Sequence, residues 1–177
     1  MDQNVALHYN LNTNITLPCN IEKFTRDRLM AAVDFEGFMR TYPDRETCFK
    51  FLSKLKWEKG YACLKCTNTY YSNGHLPYSR RCSKCGYEES VLAHTILQNI
   101  HIPVNKAFYL VFLMYVTKGK ISSHKLSEII AIRQSTCWAH STRIRKIMDH
   151  KKNELNNTAG KGWSILLFQA AEVQFRK

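Results

Sequence analysis

No apolar run in this sequence approaches the ~20 residues needed to span a membrane, and no basic, apolar and small-residue leader opens it. These absences point to a protein with no membrane partner, expected in the reducing interior of a cell, in the cytoplasm. The histidines fall into no HxxxH or HExxH pattern, which leaves a histidine-built metal site without support. Negative charge is also scarce. Against 26 Lys and Arg the 177 residues hold 14 Asp and Glu, a formal net charge of +12. Such a balance suits a polyanionic partner. From His101 to Lys152 ten basic residues face two acidic ones, Glu128 and Asp149, so two thirds of the net charge lies in under a third of the chain.

What is present is more specific. Cys63 and Cys66 form one CxxC pair, Cys82 and Cys85 form another, and fifteen residues separate them. Each pair offers two thiolates to one tetrahedral ion, and a hairpin between them brings the pairs together. The spacing predicts a zinc ribbon. Thr69 to Tyr71 make a strand, Asn73 and Gly74 a turn, Tyr78 to Arg81 lead into the second pair, and Gly86 lets the chain wrap the metal. A disulfide pair or a redox dithiol is the alternative; two matched pairs fit one metal better. Arg80, Arg81, Lys65 and Lys84 stand ready to offset the thiolate charge. Cys19, Cys48 and Cys137 follow no pattern and read as buried thiols.

In chain order, residues 1–28 form an arm without assigned chemistry, and 29–57 carry two helices, one over Leu29 to Arg40 and one capped by Asp44. In the second, Cys48, Phe51, Leu52 and Leu55 recur at helical spacing and should pack on Phe35, Phe38 or the ribbon. Trp57 reads as a core residue at the entrance of the ribbon, which spans 58–99 with Tyr87 to Leu92 completing its sheet. Residues 100–152 make a helical domain. Pro103 opens a helix whose apolar face holds Val104, Phe108, Val111, Phe112 and Tyr115, and Gly119 ends it. Ser122 or Ser123 caps the next, with Leu126, Ile129 and Ile130 inward.

After a turn at Ala131 to Arg133, a last helix buries Cys137, Ser141, Ile144 and Met148. The pair has the form of a helix-turn-helix. Ser135, Thr136 and His140 are candidates for base edges, and Arg133, Arg143 and Lys146 for phosphates of double-stranded DNA. A helix pair with a solvated basic face is common in helical proteins, so the coupling to a ribbon and to concentrated charge is what favours DNA. Trp138 is open to two roles, locking this helix onto Val104 to Tyr115 or touching DNA, and the lock is the one expected. Residues 153–177 form a polar link and an apolar tail, Trp163 to Phe168 with Ala170, Ala171, Val173 and Phe175. Two uses are open to the tail, covering the helical core or pairing with another subunit or protein.

The stretch from Asp34 to Met148 resembles the N-terminal half of IS1595-type (ISXO2-like) insertion-sequence transposases. The resemblance runs through FMRTYP at Phe38 to Pro43, LKWEKG at Leu55 to Gly60, CLKC and CSKC, HTI at His94 to Ile96, KGKIS at Lys118 to Ser122, TCWA from Thr136 and RIR from Arg143. It implies a zinc ribbon and a helix-turn-helix that recognise the ends of a mobile element. In such relatives an RNase-H-like domain with metal-holding acids follows. His94, Ala131 and Arg133 stand where that pattern has glycine, a small turn residue and a helix cap. Near Glu172, Gln174 stands where an Asp is wanted, and glutamine supplies no anionic metal ligand. About thirty residues after Met148 are too few for the catalytic domain. The expectation is an α+β chain, a small zinc ribbon inserted between helices and followed by a helix-turn-helix-like domain, that binds DNA without catalysis. It would serve as a regulator, an accessory end-binder or a targeting subunit. The opposing class is a zinc-stabilised protein-interaction module.

Overall fold

The computed structural model describes residues 35–157 and 162–168. The expected arm, the start of the first helix and Ala170 to Phe175 lie outside them. Helix α1 is Phe35–Thr41. Asp44 then caps α2, Arg45–Lys56, its carboxylate accepting from the Thr47 amide at 2.8 Å. That bond also holds the Asp44 pKa below its usual value. Cys48, Phe49 and Leu52 are the buried residues of α2. Phe49, outside the expected face, is also buried in the apolar cluster, and the Arg45 guanidinium lies over its ring, 4.7 Å from the centroid.

The ribbon sheet is antiparallel, in the order β1 (Tyr71–Asn73), β2 (Arg80–Cys82), β3 (Glu88–Glu89). Tyr71 pairs with Cys82 and Arg80 with Glu89, so one strand register sets both the sheet and the position of a CxxC cysteine. The turn begins at Asn73-Gly74 as expected but runs on to Ser79, whose carbonyl accepts from the Gly74 amide at 3.0 Å. Glu88 fills this loop. Its Oε1 accepts from the His75 amide and from Ser79 Oγ, both at 2.7 Å. A Cβ on Gly74 would meet Ser79 Oγ and the Glu88 carboxylate, so a side chain there would displace this hydrogen-bonded pair.

Helix α3, Val104–Val116, begins after Pro103 and is the axis of the molecule. The sequence suggests one apolar face; the structure buries Val104 and every residue from Ala107 to Met114. Such a helix is apolar all round because α1, α2, α4, α5 and α7 pack on it. Ser122 caps α4, Ser123–Ile130, and Leu126, Ile129 and Ile130 point inward as expected. A three-residue turn leads to α5, Gln134–His150, followed by α6, Lys152–Asn157, and α7, Gly162–Ile165.

Of the two uses open to the apolar tail, residues 162–168 take the first. Trp163 lies parallel to Phe51 with centroids 5.7 Å apart, edge-on to Phe108, Tyr42 and Phe38. The Ile96 amide donates to the Leu167 carbonyl at 2.8 Å, and Phe168 bridges Thr95. Ribbon, helices and tail therefore share one apolar cluster. Trp163→Ala should lower unfolding free energy by about 3–5 kcal/mol in a denaturant titration, the cost of emptying such an aromatic site. A loss below about 1 kcal/mol would show that the tail is not part of the core.

Candidate metal centre and helix-turn-helix face

The two CxxC segments fold as near-copies of one another. In the first, the Thr67 amide donates to the Cys63 carbonyl at 2.8 Å and the Cys63 amide to Asn68 at 2.9 Å; in the second, Gly86 donates to Cys82 at 3.0 Å and Cys82 to Tyr87 at 2.9 Å. Each knuckle thus turns on the residue after its second cysteine, and both residues have positive φ, 58° at Thr67 and 70° at Gly86. Only the glycine shows this in the sequence. A β-branched residue in that conformation is strained, so nothing in the sequence marks Thr67 as a turn residue.

The knuckles bring all four sulfurs within 4.8 Å of one another. Cys63 Sγ lies 3.5 Å from Cys85 Sγ, and Cys66 Sγ 3.5 Å from Cys82 Sγ. A tetrahedral thiolate cage with metal–sulfur bonds of about 2.3 Å has edges of about 3.8 Å, so the donor set fits one ion. The six described cysteines are free thiols, and the 3.5 Å sulfur contacts across the pairs match a shared ion better than disulfide bonds of about 2.05 Å. Although burial opposes ionisation of Cys82, the amides of Cys85 and Lys84 and the Asn68 side chain bring its pKa down to about 6. Against the Asn68 amide, burial and the Cys85, Cys82 and Cys63 sulfurs push Cys66 up to about 12. Like charges this close exclude a fourfold thiolate unless a cation sits between them.

Strands of three, three and two residues cannot hold themselves, so the ribbon leans on α2. Lys56 Nζ donates to Glu89 Oε1 at 2.7 Å and to the carbonyls of Ser90 and Ala93 at 2.8 Å each, which uses all three ammonium donors. Burial lowers the Lys56 pKa, with Glu89 opposing. Arg80 stacks over Trp57 at 4.3 Å and over Tyr71 at 4.0 Å. It packs the ribbon onto α2 and is not simply a counter-charge for the thiolates. Trp57 is 9% exposed, the core residue expected.

In the helix pair, Ala131 occupies the turn with φ 54° and ψ 55°, a left-handed site. His94, which stands where the resemblance expects glycine, also has a left-handed φ, 60°. Both turns keep the geometry that glycine would relax. At Ala131 the cost is offset by Lys106 Nζ, which donates to its carbonyl at 3.0 Å, and by Ser127 Oγ, which donates to Ile132 at 2.7 Å. Arg145 is the main clamp. Its Nε donates to the Gly119 carbonyl and an Nη to that of Ile121, both at 2.9 Å, tying the loop before α4 to the middle of α5. Gln134 Nε2 adds a bond to Ser123 Oγ at 2.7 Å. Nothing in the sequence marks Arg145 or Gln134 for this role, because their partners, loop carbonyls for Arg145 and the first residue of α4 for Gln134, lie 11 to 26 positions away along the chain.

The DNA candidates divide. Ser135 and Lys146 are exposed on one side of α5, together with Ala139, and Arg133 is exposed at its N-cap. Thr136 and Arg143 lie on the flank, half-buried, and burial lowers the Arg143 pKa. His140 is turned away. It lines a small apolar cavity with Ile96, Leu97, Ile102, Val111 and Ile144, and burial, then Arg143 and His101, lower its pKa. The structure therefore does not bring His140 to the exposed side. Trp138 overturns its expected role as a lock, being 59% exposed. Cys137, Ser141, Ile144 and Ile147 fill the inner face, and one step of about 100° from Cys137 rotates Trp138 out. Ile147 does the locking, with Met148 half-buried beside it.

No protein-family model, no curated protein and no solved structure matches the chain. What stands is the architecture, a four-cysteine ribbon among helices joined to a helical block. No helix among the described residues is long and apolar enough to cross a membrane.

Cys63→Ser and Cys82→Ser should each reduce bound metal per chain and open the segment around Trp57 to protease. Full metal content and unchanged protection in both variants would rule out the four-sulfur cage. Ala131→Gly should raise stability, and Gly86→Ala should lower it, by about 1 kcal/mol each, since a side chain in the left-handed region costs about that much. Thermal unfolding of the metal-loaded variants reads both signs.

Proposed function

We propose that this chain is a zinc-stabilised DNA-binding protein in which the ribbon and the core position the α4–α5 pair for the major groove of a duplex. The observation that carries this reading is the exposed side of α5. Ser135, Ala139 and Lys146 present small, polar and basic groups there, within a segment that holds two thirds of the net charge. Arg133 provides no side-chain cap at the start of α5, which leaves a helix N-terminus and a guanidinium together, a combination that suits a phosphate. Arg145 and Gln134 hold the pair rigid, which recognition of a fixed groove requires.

Zinc is the metal this reading assigns to Cys63, Cys66, Cys82 and Cys85. Four thiolates at tetrahedral spacing are the donor set of a structural zinc site, whose binding energy becomes folding energy. The role is architectural, and the activity proposed is binding without catalysis. The motif resemblance to the recognition half of IS1595-type transposases supports mobile-element ends or an operator as the target, with the protein acting as regulator, accessory end-binder or targeting subunit. One observation favours the second reading, a protein-interaction module. Leu64, Tyr70 and Leu76 of the ribbon are 62%, 76% and 56% exposed, apolar side chains that DNA phosphates would not seek.

Selection of zinc-loaded protein on a random duplex library across a salt series tests the choice. DNA recognition predicts an enriched motif and a steep loss of affinity with salt. Arg133→Gln with Lys146→Gln should weaken all duplexes alike and reduce the slope of log K against log salt by about 2. No duplex binding by folded, zinc-loaded protein would give the interaction module the better claim.

A further inference from the structure

We propose that Trp138 is a specificity-determining residue that reads thymine, packing its indole against the C5-methyl group at the floor of the major groove. The inference rests on the DNA-binding reading and names the chemical feature of the duplex that α5 recognises. Trp138 is the fifth residue of α5, in the N-terminal part that a recognition helix turns toward base edges. Four of the five exposed large hydrophobic side chains among the described residues lie on the ribbon; Trp138 is the fifth and stands by itself on the helices. A single exposed aromatic is common on protein surfaces and by itself means little. Its surroundings set this one apart.

Ser135 and Thr142 stand one helical turn to either side of Trp138, and Ala139 follows it. All three are small, so the indole rises above them instead of lying in a larger apolar patch. A protein partner seeking an apolar contact would find one side chain. The charge around it is positive, with Arg133 at the start of the helix and Lys146 two turns on, so a polyanion is the complement. Within the major groove of a duplex the apolar feature at the base edges is the thymine methyl. Indole matches it twice over. Its face is apolar, and its Nε1–H is a donor without acceptor capacity, suited to the O4 or N7 acceptors beside that methyl.

The backbone keeps the residue in place. The Trp138 carbonyl accepts from Ser141 Oγ at 3.0 Å, and Ser141 Oγ in turn accepts from Arg145 at 3.3 Å, so the clamp that fixes the helix pair also reaches the turn carrying Trp138. Because the side chain is largely exposed, its replacement should leave folding intact, which separates recognition from stability.

The experiment uses the full zinc-loaded chain and the duplex enriched from the random library. Each enriched thymine is replaced in turn by deoxyuridine, which removes the methyl and keeps the pairing. Wild-type protein should lose about fourfold in affinity at one or two positions, the worth of one buried methyl-sized group. Trp138→Ala should bind the enriched duplex about tenfold more weakly, lose the preference between thymine and deoxyuridine at those positions, and keep its affinity for random duplex and its melting temperature. Trp138→Phe should retain part of the preference. If Trp138→Ala discriminates thymine from deoxyuridine as wild type does, the inference is wrong while DNA binding stands. If wild-type protein binds no duplex at any salt, both readings fall together.

Discussion

The Lys56 ammonium is the point at which the ribbon becomes part of the helical body. Its three donors reach Glu89 and the carbonyls of Ser90 and Ala93, all within 2.8 Å, at a place where little water penetrates. A buried ion pair contributes little net stability on average, but removing one partner leaves the other uncompensated at a cost of about 3–5 kcal/mol. Lys56 therefore acts as a registration device. Given this anchor, Arg80 slots between Trp57 and Tyr71, and β2 presents Cys82 to the first knuckle.

The same logic recurs across the molecule, with long cationic side chains fixing loops that apolar packing alone leaves loose. Lys106 holds the Ala131 carbonyl, Arg145 holds Gly119 and Ile121, and Lys151 Nζ holds Ile165 at 3.0 Å. Each donates to carbonyls that helix ends or turns leave unsatisfied. Part of the strong positive charge is thus structural. The net charge of the helical segment overstates the cations available to a phosphate backbone, and exposed Arg133 and Lys146 gain weight relative to Arg145 and half-buried Arg143.

Local signals proved readable where they involved neighbours in the chain. Asp44 caps its helix as expected and Ser122, one of two serine candidates, caps the next, because a capping bond spans three residues. The CxxC spacing located all four clustered sulfurs, and Gly86 marked one knuckle turn. Thr67 and Ala131 hold equivalent left-handed turns without any glycine to mark them. Periodicity found the inner residues of α5 but not which direction the intermediate positions take. His140 and Trp138 exchanged places in this respect, since a loop at 96–102 covers one flank of the helix and no described element covers the other.

By itself, the sequence determined which four cysteines cluster, the order of ribbon and helices, and the segment where positive charge collects. These depend on residue type and short spacing. Only tertiary structure decided that α3 is buried on every side, that the tail closes the core through Trp163, and that Arg145 clamps while Trp138 faces outward. Those outcomes depend on which surfaces meet across long stretches of chain, and a helical period specifies an angle without saying what will stand opposite it.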